Sequence, residues 1–268
     1  MTDGELKKVL ASSGFGEDEA ASFLDRLTLP RRSGWNRDMP QRCTERDAFP
    51  WRFRRQLSLL MRPLVELGGE QRTWFVSVPM LEKAFAYLVG NVFSGNFPQE
   101  FFGSAEMRSY IGGVANKRGH DFNAEVTEVF SESGLASKSE VEMTALGAPE
   151  DEGLGDIDVL AWNPEDTKVY VVESKCLRPA STVSEVVQRL DDFAGDREEK
   201  DALGRHLRRL DWLETNRTYL EEFIGMPGAD IHIVPMLVTN ETVPMQFFEN
   251  VEFPSSQVVP IEMLRGKL

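Results

Sequence analysis

Residues 154–177, LGDIDVLAWNPEDTKVYVVESKCL, constrain the fold more than any other stretch. They predict two strands, 154–162 and 168–175, joined by the turn residues Asn163, Pro164 and Asp166. The run Val169-Tyr170-Val171-Val172 is apolar without a break, which predicts a strand covered on both faces. Glu173 and Lys175 follow it two residues apart, so both project from one face. If 164–167 form a four-residue loop, paired residue numbers sum to 331: Trp162 faces Val169, Asp158 faces Glu173, and Asp156 faces Lys175. That register gathers two or three carboxylates and one ammonium at a strand end. Carboxylates so close repel unless a cation lies between them. A hard cation with oxygen ligands, such as magnesium, meets the need. The bland alternative is a ladder of surface ion pairs.

The order Gly155-Asp156-Ile157-Asp158, turn, apolar strand, Glu173-Ser174-Lys175 resembles the PD-(D/E)xK nuclease superfamily, the restriction-endonuclease-like fold. The resemblance implies an α/β domain with a central mixed β-sheet flanked by helices. It implies that Asp158 and Glu173 bind Mg2+, or Mn2+ in its place, helped by the Ser174 backbone carbonyl. Lys175 would orient or activate the attacking water, completing the catalytic set Asp158, Glu173 and Lys175. Asp156 would bind a second metal or face Lys175.

The resemblance extends upstream. Many such nucleases carry a first helix of the form R-G-x-x-F-E, ended by a glycine. Here Lys117-Arg118-Gly119, Phe122, Val126 and Gly134 match it, but Asn123 stands where the acid belongs. Asparagine can still hold a water but brings no charge. Glu125 lies two residues on, about 200° round the helix, so it cannot occupy the place of Asn123; a solvated helix residue is the plainer reading of it. Gln188, in the helix expected over 181–193, is the candidate by type for the polar residue that related nucleases place near the site; a surface glutamine is its plainer reading. His206, Arg209 and Trp212 share roughly one helix face, to touch substrate or simply to pack.

Charge bears on any nucleic-acid partner. The chain of 268 residues has a formal net charge of −14, which repels phosphate at long range. The distribution matters more than the sum. Residues 31–62 hold nine Arg against Asp38, Glu45 and Asp47, interleaved with Trp35, Phe49, Trp51 and Phe53. That composition grips a nucleic-acid backbone and stacks bases, with Arg52, Arg54 and Arg55 the expected contacts. Equally, arginine stems cover apolar surface and pair with the protein's own carboxylates. Two cysteines, Cys43 and Cys176, fit a reducing cytoplasm better than a disulfide scaffold. No apolar run reaches membrane-spanning length, so no membrane partner is expected.

The remaining pattern predicts two short helices over 1–28, mixed helical spacing over 53–67 interrupted by Pro63, a strand at 73–78 and a helix at 80–93. It then predicts a helix ending at Gly134, a strand at 138–146, a charged helical run at 196–223, a buried strand at 230–239 and a short edge strand near Pro260. The expected organisation is an N-terminal extension over 1–105, setting specificity or meeting a protein partner, and a nuclease-like domain over 106–268. The expected function is a metal-dependent nuclease, with DNA favoured over RNA. The alternative is a catalytically inactive nuclease-like module that binds nucleic acid or a protein within a larger assembly.

Overall fold

The fold is seen in a computed structural model that describes residues 1–34, 37–40, 43–49, 55–68, 72–95, 97, 101, 104–178, 183–193, 203–248 and 253–268, with the side chains of 46, 184, 185 and 188 outside that set. The chain divides into two compact units, Met1–Asn116 and Lys117–Leu268.

The first unit opens with helices α1 (Asp3–Ser12) and α2 (Glu17–Leu27). Thr2 and Glu5 cap α1 reciprocally: the Thr2 N–H donates to Glu5 Oε2 (2.8 Å) and the Glu5 N–H to Thr2 Oγ1 (3.4 Å). Strand β1 (Thr28–Leu29) and the short helix α3 (Glu45–Ala48) precede β2 (Leu64–Leu67) and β3 (Thr73–Phe75). The three strands form one sheet, parallel between β1 and β2 and antiparallel between β2 and β3. Leu6, Leu10, Ala20, Leu24, Leu64 and Trp74 pack as its core. Of the stretch 53–67 with mixed spacing, the described part, 55–67, resolves into bends and a turn up to residue 61 and then strand β2. Proline disfavours helical backbone at the residue before it, so the helical pattern cannot run through Pro63. Helix α4 (Val78–Phe93) starts at Pro79 in its first turn.

Helix α5 (Ala105–Glu132) carries the chain into the second unit. It stops at Gly134, whose φ of +85° belongs to the left-handed region, and the Leu135 N–H returns to the Phe130 carbonyl (3.2 Å). Strands β4 (Ala136–Glu142), β5 (Asp156–Trp162) and β6 (Lys168–Lys175) follow. Then come helices α6 (Val183–Asp192), α7 (Gly204–Thr215) and α8 (Arg217–Phe223), strands β7 (His232–Thr239) and β8 (Val258–Pro260), and helix α9 (Ile261–Leu264). Of the helix expected over 181–193, residues 181 and 182 lie outside the described set.

The five strands form one mixed sheet in the order β4-β5-β6-β7-β8, antiparallel from β4 to β6 and parallel from β6 to β8. On one face Leu160, Val169 and Val171 pack with Leu213 of α7 and Leu220 of α8. On the other, Val159, Tyr170 and Val172 pack with Phe122, Val126 and Phe130 of α5. The middle of a strand covered on both faces favours apolar residues at every position, which is why 169–172 of β6 read as an unbroken apolar run. β8 is the edge beside β7, where the missing N–H of Pro260 leaves no ladder donor unmatched.

Candidate active site at the ends of β5 and β6

The register of β5 with β6 runs from Trp162↔Val169 to Val159↔Val172, the sum of 331 read from the sequence. The backbone ladder then stops. At the next position the carboxylate of Asp158, rather than a main-chain carbonyl, accepts the Ser174 N–H (2.7 Å). β4 shows a matching irregularity. Ile157 and Val141 pack in the same cluster as Leu160 and Trp162, so side-chain alternation shifts by one near Glu140 and Asp158. Glu140 takes a φ of +53°, which costs a non-glycine residue on the order of 1 kcal/mol or more.

That break in the ladder frees side chains to converge. Lys175 Nζ contacts Glu173 Oε1 and lies 3.7 Å from Asp158 Oδ2, so one ammonium serves both carboxylates. The second oxygen of Glu173 accepts from Arg209 Nη1 (2.7 Å). Arg209 Nε donates to the Leu154 carbonyl (2.8 Å), tying α7 to the loop that enters β5. His206, one turn earlier on α7, is wholly buried, with Nδ1 3.9 Å from Glu173 Oε2. On the opposite face Ser174 Oγ donates to Asn123 Oδ1, and Asn123 Nδ2 reaches Glu140 Oε1 (3.4 Å). His120 Nδ1 pairs with the same Glu140 oxygen.

The environments push the two carboxylates apart. Burial and then the charge of Glu173 raise Asp158 to about 6, against the weaker pull of Lys175 and the Ser174 N–H. Burial works to raise Glu173 too, but Lys175 and Arg209 outweigh it and hold it well below the usual carboxylate range. Burial opposes the charge on Lys175, yet Glu173 and Asp158 prevail and raise its pKa. Lys175 is therefore an ammonium at neutral pH. Burial holds His206 down to about 4, so its imidazole is neutral there.

Asp158, Glu173, Ser174, Lys175 and Asn123 thus lie in one connected cluster, and Asp156 and Glu125 do not. Asp156 was expected opposite Lys175, but the β5–β6 ladder ends before that pair. Asp156 instead pairs with Glu142 of β4, and its charge acts on His120. Glu125 is exposed on α5, away from the cluster. Gln188 lies in α6 with its side chain outside the described set. Of the expected nucleic-acid contacts, Arg52 and Arg54 lie outside the described residues; Arg55 is half-buried, with the charges of Arg32 and Asp47 acting on it. Arg209 and His206 were legible only as neighbours on a helix face, with the purpose open. Nothing in the sequence marked Glu140.

The donor set fits a small hard cation. Among the described residues no group of three His, Cys, Asp or Glu could hold a metal. Magnesium does not need one: it retains several waters and takes one or two carboxylates from the protein. Lys175 already sits where a cation between Asp158 and Glu173 would sit. Among the described residues no helix is long and apolar enough to cross a membrane.

No curated protein and no solved structure matches the chain. A family model described as "Anti-phage protein Upx-like" matches residues 1–259. With all but the last nine residues covered, the chain belongs to the Upx-like family of anti-phage proteins.

Proposed function

We propose that this chain is a magnesium-dependent nuclease of PD-(D/E)xK type, hydrolysing phosphodiester bonds in nucleic acid, with DNA favoured, in defence against phage. The observation that carries the reading is the sharing of one ammonium, Lys175, by two carboxylates on adjacent strand ends, Asp158 and Glu173. Membership of an anti-phage family supports it, since the nucleic acid of an infecting phage is a target such an enzyme would reach.

Asp158, Glu173 and the Ser174 carbonyl would hold the ion. When bound, it supplies charge withdrawal from a non-bridging phosphate oxygen and a lower pKa for the attacking water. The chain's own residues do the rest. Lys175 would orient the attacking water and, as an ammonium, offset charge growing on the phosphate. Asn123, fixed through Ser174 Oγ, places a neutral amide where a water can be held. Nucleic-acid contact falls to the first unit. There Arg31, Arg32 and Arg72 line one cleft with Glu66, and Arg32 lies close enough to Arg55 for their charges to act on each other.

The test is incubation of the protein with single- and double-stranded DNA and RNA, with and without Mg2+ or Mn2+. Products are expected only with metal and are expected to disappear in Glu173→Gln. Cleavage that survives chelation, or that Glu173→Gln retains, would refute the reading. A second reading, an inactive module that binds without cutting, is favoured by the neutral Asn123 in place of an acid. Metal-independent binding with no products would select it.

A further inference from the structure

We infer that Arg209 and His206 are positioning residues that hold one oxygen of Glu173 and so present the other to a cation. The inference rests on the proposed metal-dependent reading. Arg209 and His206 are three apart on α7 and approach the same atom, Glu173 Oε2, at 2.7 Å and 3.9 Å. Oε1 is left to Lys175, whose ammonium also lies 3.7 Å from Asp158 Oδ2. Arg209 uses two prongs, Nη1 on Glu173 and Nε on the Leu154 carbonyl. One guanidinium therefore fixes the end of β6 against the loop entering β5, the strand that carries Asp158. Lysine offers a point charge and cannot reproduce that fork.

His206 is harder to explain by packing. It is fully buried, its ring meets Phe253 edge-on at 5.8 Å, and neither ring nitrogen has a hydrogen-bond partner. A buried polar atom left unpaired is destabilising, and a phenyl ring would fill a similar space without that loss. An imidazole Nδ1–H beside Oε2 is placed to complete a hydrogen bond after a shift of about 1 Å, given ordinary N–H···O lengths. That shift becomes available when Oε1 turns from Lys175 to a metal ion. The orphaned nitrogen is then a donor held in reserve for the loaded site.

The test uses the full chain and Mn2+ alone as probe. Affinity is measured by calorimetry and by electron paramagnetic resonance, beside the melting temperature, for the parent, His206→Phe and Arg209→Lys. His206→Phe is expected to melt as high as the parent or higher, yet to bind Mn2+ at least ~10-fold more weakly, the loss usual when the partner of a metal ligand is removed. Arg209→Lys is expected to weaken binding similarly although the charge is kept. Folded variants that bind Mn2+ as the parent does would overturn the inference and leave the nuclease reading standing. A His206→Phe protein that melts lower shows the ring to be packing and counts against its part. If Arg209→Lys does not fold, His206→Phe decides alone. A parent that binds no Mn2+ removes the metal-dependent reading itself, and the inference with it.

Discussion

Each unit of this protein buries an arginine, and the two are used differently. Arg62, in the first unit, donates to the carbonyls of Asp25 (2.8 Å) and Thr28 (3.1 Å) and faces the Cys43 thiol. Arg209, in the second, holds the carboxylate of Glu173. The units differ in charge as well. Met1–Asn116 carries 15 Lys and Arg against 14 Asp and Glu, whereas Lys117–Leu268 carries 15 against 30. The acidity of the whole chain is therefore the acidity of the unit that holds the candidate site. A phosphodiester approaching that unit is repelled unless a bound cation offsets the field. The arginine-rich stretch, in turn, cannot be read as one surface: Arg62 is committed to architecture, whereas Arg31 and Arg32 line a cleft with Arg72 and its ion-pair partner Glu66.

Truncating the two buried arginines would sharpen this contrast most. Arg209→Met leaves Glu173 buried with Lys175 as its cation, and breaking such a pair costs about 3–5 kcal/mol. Arg62→Met strands two carbonyls, neutral acceptors, at about 1–3 kcal/mol. Denaturant unfolding should rank Arg209→Met well below Arg62→Met; equal losses would erase the distinction. Next in size is Lys175→Ala. Its ammonium is one-third exposed, so solvent offsets part of what Asp158 and Glu173 lose; the melting temperature should fall by less than for Arg209→Met, while turnover falls on the order of a hundredfold. Full activity in this variant would remove Lys175 from catalysis, and a collapse in melting temperature would make it a structural partner of the carboxylates.

Asp158→Asn tests the site against its own stability. The folded state holds Asp158 at about 6 against an ordinary value of 3.8, so the native protein binds that proton more tightly and loses stability as pH rises from about 4 to 6. Asparagine removes the loss. The variant should match the parent below pH 4 and exceed it above pH 6, by up to roughly 3 kcal/mol at 1.36 kcal/mol per unit, while metal affinity disappears. His206 works in the opposite sense. Its folded value of about 4 lies below 6.5, so its share of stability is lost as pH falls through that window. A parent melting profile nearly flat between pH 4 and 6 is expected, becoming steep once Asp158 is replaced. A gain for Asp158→Asn that is equal at pH 3.5 and 7 would contradict the assignment.

The smallest effects concern the first unit. Arg31→Glu and Arg72→Glu should each lower the slope of log K against log salt by about 0.9 for duplex DNA. Charge reversal at Arg52, Arg54 or Arg55 should do the same wherever the guanidinium meets a phosphate. Changes at Arg62 should act through stability alone. An unchanged slope in the cleft variants would give those arginines to a protein partner or to packing.

Much of the second unit was legible because its signals are local. The sum-331 register depends on the four-residue turn at 164–167 and on strand alternation, and Trp162 does face Val169. Gly134 ends α5 because a left-handed residue is needed there, and the apolar run 169–172 announced a strand covered on both faces. Phe122 and Val126, picked out by the helix motif, do pack in one cluster, together with Phe130. Even the neutral Asn123 could be located from the motif around it.

What the sequence by itself determined is thus the periodic part: the elements, their faces, and the pairing of neighbours along the chain. Tertiary structure alone decided the rest. Alternation cannot foresee a ladder that stops at Val159↔Val172, so it set Asp156 against Lys175, where β5 stays paired with β4 alone. It cannot foresee a glutamate at φ +53° placed between His120 and Asn123. Nor can it show that Arg209, 36 residues beyond Glu173, closes on that carboxylate while His206 lies beside it without a partner. The reason is range. Backbone sterics and side-chain period act over a few residues and are written locally, whereas the protonation, burial and partner of a charge depend on which distant helix is packed over it.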